Sequence, residues 1–458
     1  MSVRGAHPAP ATNRRVLSLA LPMTVANVTT PLLGFVGAAV IGRLGDAALL
    51  GAMALGAVIF DAIFWSFGSL RMATAGLTAQ AVGARDGAEV DRTLARALAA
   101  GLLVGLVIVI LQGPIGQGAF AISGASPAVI AGLSDYFHIR IFAAPFTLAN
   151  YAILGSVLGR GRTDLGLVLQ IAINLVNIAL TLALVLGAGM SVAGAGLATL
   201  VAEAVGTGLG LLVLARLGSY PFGVPWRIVA DPLALARMLS VNADVMIRTL
   251  LLVACIAAFS ALGARSGDVV LAANAVLWNL FMIGGFFLDG FATAAETLCG
   301  QAVGAHDEAG FRRAARLSLA WCLAFGAAIA GLFLVTGGAF IDAVTTNPEV
   351  RETARTYLVP AALAPLVAAL PFAFDGIYIG ATWTRAMRNL MIGASVTYGL
   401  ALLAFHALDL GNAGLWAAFL LLLGGRGVGQ ALAYSGLTAR TFSPAVKPGL
   451  PAPVRQVA

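Results

Sequence analysis

Two stretches of the chain, AQAVGARDGAEVDRTLARALAAGLLVG (79–105) and GQAVGAHDEAGFRRAARLSLAWCLAFG (300–326), align without a gap, with 12 of 27 positions identical. That is several times what the biased composition gives by chance. The offset of 221 residues persists beyond the match: Pro127 falls on Pro348, Tyr136 on Tyr357, Gly155 on Gly376 and Gly159 on Gly380. The chain is two homologous halves. Breaks at charges, Gly/Pro clusters and short polar turns divide it into twelve apolar segments, at about 16–42, 47–80, 94–117, 128–159, 165–187, 192–215, 236–262, 269–300, 314–340, 349–380, 389–408 and 412–437. Each matches the roughly 20 apolar residues that carry a helix across a bilayer. None alternates with period 2 as a barrel strand does. The reading is an all-α polytopic membrane protein with twelve transmembrane helices in two homologous six-helix lobes. An even number of spans per half makes the repeats parallel, the arrangement of alternating-access transporters with a substrate site between the halves.

Composition agrees. Of 458 residues, 60% are hydrophobic and only 10% charged, against about 25% charged in a soluble domain. No polar stretch is long enough for a large extramembrane catalytic domain. Residues 1–13 are polar, Arg14 and Arg15 follow, and the apolar run Val16–Gly42 is too long for a signal peptide; it reads as the first membrane helix. With the N-terminus inside, 19 of the 27 basic residues face the cytoplasm, Arg4, Lys447 and Arg455 among them. Four (Arg43, Arg265, Arg351 and Arg355) face outward, and Arg71, Arg140, Arg248 and Arg426 lie within spans. The net charge of +7 thus reports cytoplasmic loops of an inner (plasma) membrane protein rather than nucleic-acid binding. The expected organisation is a cytoplasmic tail (1–15), an N-lobe (16–215), a cytoplasmic linker (216–235), a C-lobe (236–437) and a second cytoplasmic tail (438–458). Cys255, Cys299 and Cys322 are odd in number and lie in apolar stretches, so no disulfide, metal site or cofactor is expected.

Ionisable groups inside membrane helices are costly and mark candidate sites. Asp289 and Glu296 are seven residues apart, so they share a face of helix 8 about 10 Å apart. Asp375 in helix 10 is a candidate proton or sodium site, or else an ion-pair partner for Arg248. Asp244 and Arg248, at i and i+4, favour a local pair that frees Asp375 to titrate. Asp61 is the only acid of its span and is either a proton site or a paired structural acid. Arg71 and Arg426 read as structural, and Glu203 and Arg140 as an intra-lobe pair. Asn27, Asn150, Asn174, Asn177 and Thr181 are candidates to line a substrate cleft, with interhelical hydrogen bonding as the alternative. Pro22 and Pro31 flank Asn27 and can bend helix 1. Phe60, Phe64, Trp65, Trp278 and Phe286 can stack on flat cations or simply pack. Gly206-Thr207-Gly208-Leu209-Gly210 follows no strand and reads as close helix packing, not as a dinucleotide loop.

The runs PMTVANVTTPLLGFVGAAVIGRLGD (22–46), LRMATAGLTAQAVGA (70–84), NADVMIRTLLL (242–252), LDGFATAAETLCGQAVGA (288–305) and DGIYIGATWTRAMRN (375–389) resemble the DinF-like branch of the MATE (multidrug and toxic compound extrusion) family. The resemblance implies two lobes around a central cleft, a functional monomer, and efflux of small organic, often cationic, compounds against protons or sodium ions. Two positions depart from the family pattern. The first-helix motif reads VGAAVIG (36–42), so Gly37 stands in place of an aspartate, and Thr181 stands where an acid commonly follows the helix-5 Asn pair. Asp61 is then the candidate replacement. Arg248 matches a position that is glutamate in sodium-coupled relatives, which argues against a sodium site of that type. A lipid-linked oligosaccharide flippase of the same superfamily is the alternative, and such proteins often carry extra helices. A membrane-embedded prenyltransferase needs a clustered Asp motif and an ATP-driven pump a GxxxxGK[ST] loop; the chain has neither.

Overall fold

The computed structural model describes residues 10–443, except the side chains of residues 30–32; Arg4, Lys447, Arg455 and the side chain of Pro31 lie outside the described residues. Twelve helices are long and apolar enough to cross a membrane: α1 (Asn13–Gly42), α2 (Ala47–Gly83), α3 (Gly87–Ile110), α4 (Pro127–Gly159), α5 (Thr163–Gly187), α6 (Ser191–Arg216), α7 (Pro232–Arg265), α8 (Asp268–Gly304), α9 (Glu308–Val344), α10 (Leu358–Gly380), α11 (Thr384–Ala407) and α12 (Gly411–Phe442). They form the two six-helix lobes expected of the sequence.

Proline sets the main departures from the expected boundaries. A proline ring clashes with the carbonyl four residues earlier. α3 accordingly stops at Ile110, four residues before Pro114, and a separate helix Gln112–Ser123 follows. The expected tenth span likewise divides into Pro348–Thr356 and α10, with the break at Tyr357 and Pro360 just beyond. α4 tightens into a 3₁₀ turn at Ile141–Ala143, directly before Ala144 and Pro145. α1 carries Pro22 yet runs unbroken. The stretch between the halves holds two short helices, Pro221–Gly223 and Trp226–Val229, and α12 continues to Phe442.

The duplication is visible in the backbone. Asp86 caps α3 and Asp307 caps α9, each accepting from a main-chain N–H three residues on. Ser126 and Asn347 cap the helices that begin with Pro127 and Pro348. Arg85 (φ 58°) and His306 (φ 53°) take the same left-handed turn. Four glycines are explained by close approach. A Cβ at Gly155 or Gly159 would strike the carbonyls of Arg71 or Ala75, and one at Gly376 or Gly380 those of Ala292 or Glu296. Each glycine pair lets α4 or α10 lie directly against the backbone of α2 or α8.

Each lobe has its own apolar core, the N-lobe's around Phe60, Tyr136 and Phe137, the C-lobe's around Phe259, Phe291, Trp416 and Phe419. α1 belongs to both. Val16, Leu19 and Ala20 pack in the C-lobe core, whereas Val40 and Ile41 pack in the N-lobe core. The three cysteines are free and buried.

Candidate functional site

The N-lobe encloses a cavity of about 620 Å³. Its wall brings together residues from α1, α2, α4, α5 and α6, including Gly37, Asp61, Arg140, Asn150, Asn174, Asn177, Thr181 and Glu203, with Phe286 reaching in from α8. Two of the three charged groups are acids. Glu203 accepts a hydrogen bond from Asn150 Nδ2 at 2.6 Å, and Thr207 donates to Asn150 Oδ1 at 3.0 Å. Arg140 donates to the Tyr136 hydroxyl, and its guanidinium lies 4.5 Å from the Phe60 ring centroid and 5.4 Å from that of Tyr136. Its aromatic partners hold it at the wall without neutralising it. The intra-lobe ion pair expected between Arg140 and Glu203 is not formed, because Arg140 is taken up by the aromatics and Glu203 by Asn150. Asp61 is exposed to the cavity and has no ion-pair partner among the described residues.

Asn174, Asn177 and Thr181 are one α5 stripe at helical spacing. Asn174 donates to Thr29, Asn177 to Thr199 and Thr181 to Asn177, at 3.1 to 3.3 Å. Gly37 faces the same cavity, and a Cβ there would stand 2.7 Å from Met53 Cε, the free end of a flexible side chain.

In the C-lobe, Asp375 is buried and accepts from Arg248, Arg426 and Gln430. The local pair expected between Asp244 and Arg248 is not formed: Asp244 binds Arg388 of α11 at 2.6 Å and Thr384 at 3.2 Å, leaving Arg248 to Asp375. Asp289 accepts from Asn27 across the lobes at 3.0 Å. Glu296 is 4% exposed, and its Oε1 has no hydrogen-bond partner. Arg71 has no ion pair among the described residues. Trp278 packs among Phe259, Phe281 and Phe419 in the C-lobe, away from the N-lobe cavity. Among the described residues, no three His, Cys, Asp or Glu side chains are placed to hold a metal.

Sequence reasoning did not place Glu203 in the cavity. A signal was available: Thr199, Glu203 and Thr207 fall four residues apart in an otherwise apolar α6, so they form one polar stripe. Arg388 carried no such signal.

A duplicated twelve-helix bundle with a polar, charged cavity inside one lobe is the architecture of a membrane transporter of small molecules. The MatE family pattern matches residues 22–183 and 245–403. "DNA damage-inducible protein F" of Escherichia coli (strain K12) is 37% identical over 419 residues, covering 90% of each chain. The chain belongs to the MatE family. Solved structures share the fold. The outward-facing form of a multidrug resistance MATE family transporter of the MOP superfamily has a TM-score of 0.83 at 18% identity, covering 96% of this chain and 97% of that one. A MATE in the bent conformation has a TM-score of 0.85 at 17% identity, covering 93% and 96%. A MOP superfamily transporter from Pyrococcus furiosus, described as having a binding pocket of reverse polarity, has a TM-score of 0.82 at 18% identity, covering 95% and 97%.

Proposed function

We propose that this protein is a proton-coupled antiporter of the DinF-like branch that exports organic, often cationic, compounds through the N-lobe cavity, working as a monomer in the inner membrane with both termini cytoplasmic. One observation carries this reading: the cavity wall holds two acids, Asp61 and Glu203, neither of them in an ion pair, against the single cation Arg140, which its aromatic partners hold. A carboxylate that faces a water-accessible cavity can hold either a proton or an organic cation, and exchange of the two is antiport. The vacancy at Gly37 does not remove acids from the cavity; it leaves them on α2 and α6 instead of α1. Asp375 is the weaker candidate, since it is buried and already paired with both Arg248 and Arg426. Asp289 and Glu296 lie between the lobes, where their surroundings change as the lobes move. Branch membership is supported by the 37% identity to DNA damage-inducible protein F.

The test is efflux from proteoliposomes under separately imposed proton and sodium gradients, for wild type, Asp61→Asn and Glu203→Gln. Proton-driven efflux that both variants weaken is the expected result. Efflux that follows only the sodium gradient, or that both variants leave unchanged, overturns the reading.

A further inference from the structure

The repeated motif that reveals the duplication, AQAVGA (79–84) and GQAVGA (300–305), lines no cavity in the N-lobe and takes no part in the proposed exchange. It closes one end of the molecule. Gln80 of α2 donates through Nε2 to the carbonyl of Gly380 at 2.9 Å, and Gln301 of α8 donates to the carbonyl of Gly159 at 3.2 Å. The two bonds are the same bond seen from opposite lobes, because Gln80 and Gly159 shifted by 221 give Gln301 and Gly380. The second atom of each amide is also held from the opposite side. Arg237 at the start of α7 donates to Gln80 Oε1 at 3.5 Å, and Arg15 at the start of α1 donates to Gln301 Oε1 at 3.2 Å.

The acceptors explain why an amide stands here. Gly159 and Gly380 are the last residues of α4 and α10, and the final carbonyls of a helix have no partner within it. Each glutamine therefore satisfies an orphan carbonyl of the other lobe. The backbones meet closely: a Cβ at Gly83 would collide with the carbonyl of Gln301, and one at Gly304 with that of Gln80. Gln301 is only 3% exposed. Among the described residues, every hydrogen bond between the lobes lies in the half of the bundle that carries the termini, the deepest being Asn27 to Asp289.

We propose that Gln80 and Gln301 are paired latches of a gate at the termini face, and that release of both from the carbonyls of Gly380 and Gly159 is the step that opens this face. The glycines at 83 and 304 set how tightly the gate shuts. The two glycine bonds are equivalent by the internal repeat, while Gln80 alone also donates to Thr382 at 3.3 Å, so both contribute to the closed state and Gln80 contributes the more.

The test measures lobe separation and needs neither a substrate nor a coupling ion, so its outcome is independent of the proposed function. Spin labels are placed at Ala88→Cys and Ala309→Cys, which are exposed and equivalent by the same offset, while the native cysteines are buried. Distances are measured in lipid nanodiscs. Gln80→Met and Gln301→Met keep side-chain length and lose the hydrogen bonds. Each removes at least two cross-lobe hydrogen bonds, each worth about a fivefold change, so each is expected to raise the open-to-closed ratio by at least about fivefold, and the double variant is expected to multiply the two effects. Gly83→Ala is expected to give the largest opening. If that variant fails to yield monodisperse protein, the two methionine variants, which leave the helix contacts in place, decide the matter. A folded Gln80→Met/Gln301→Met double variant with an unchanged distance distribution overturns the proposal. So does a shift produced by one glutamine alone.

Discussion

The two lobes descend from one six-helix unit, yet they treat buried charge in opposite ways. In the C-lobe, Asp375 is enclosed by Arg248, Arg426 and Gln430. The residue at the same place in the N-lobe repeat is Leu154, which lines the cavity. Conversely, Arg140 of the N-lobe corresponds to Ala361, a buried alanine of the C-lobe. The scaffold was duplicated and the charges were not. The helix approaches at Gly155 and Gly376 remain superimposable, so the fold depends on backbone contact that both halves keep. The chemistry depends on a few side chains that each half chose separately. One lobe uses its charges to close an interior, the other to leave one open.

The comparison breaks most visibly at Asp375. Asp375→Asn leaves two buried guanidinium groups facing each other, and loss of one partner of a buried pair costs about 3–5 kcal/mol. The expected outcome is a large loss of folded monomer and a lowered melting temperature in detergent, while surviving protein keeps its response to a proton gradient. Normal stability with loss of that response would move the coupling site to the C-lobe. Replacing the three charges and the amide that faces them, Asp375→Leu with Arg248→Met, Arg426→Met and Gln430→Leu, is expected to restore stability close to wild type, since neither an unpaired charge nor a stranded amide is left behind.

The N-lobe counterpart has the opposite profile. Glu203→Gln keeps a hydrogen-bonding amide beside Asn150 and is expected to cost no more than about 1 kcal/mol of stability, while flattening the dependence of efflux on an imposed pH gradient. Stability is read by thermal unfolding and coupling by substrate-evoked pH change in vesicles. A destabilised protein with its pH profile intact would make Glu203 a structural acid.

Gly37→Asp sharpens the same contrast by adding an acid to the open lobe. The new side chain displaces the end of Met53 and enters a cavity whose wall already holds Asn174, Asn177 and Thr181. The expected result is normal expression and a steeper efflux response to the pH gradient at matched protein levels. An identical response in folded protein would show that this position is not coupled to the cavity acids.

The smallest effect is expected at Thr181→Val, which removes one hydrogen bond to Asn177 at a cost of about 1 kcal/mol. Efflux coupling is expected to stay unchanged, because the hydroxyl carries no proton exchange.

Most of the fold could be read from the sequence because bilayer thickness fixes helix length, and the repeat offset fixes which helices correspond. The break after Ile110 was signalled by Pro114 but hidden by the continuous apolarity around it. The ion network was readable only in part: a pair between Asp375 and Arg248 was one of two readings, and the structure forms it, but nothing in the sequence brought Arg426 or Gln430 to the same carboxylate. Arg248 and Asp375 are 127 residues apart in the chain, and the local spacing of Asp244 and Arg248 pointed to a pair that Arg388, on another helix, displaces. Pairing rules for a lone helix assume that no stronger partner arrives from elsewhere, and in a packed bundle one did. The cavity polar stripe of α5 was readable because its members share one helix; the meeting of Glu203 with Asn150 depended on how two helices turned toward each other.

The first helix carries a consequence for biosynthesis. Val16, Leu19 and Ala20 are synthesised early, yet they belong to the same core as Phe291 and Leu298, which are made about 270 to 280 residues later. Until α8 is inserted, the leading half of α1 has only lipid and its own lobe for company. The N-lobe therefore reaches its final form after the C-lobe helix that receives it, although it is synthesised first. Separating the halves at the linker would strand the opening segment of one fragment on the surface it normally gives to the other, so the two polypeptides would have to be made together to assemble.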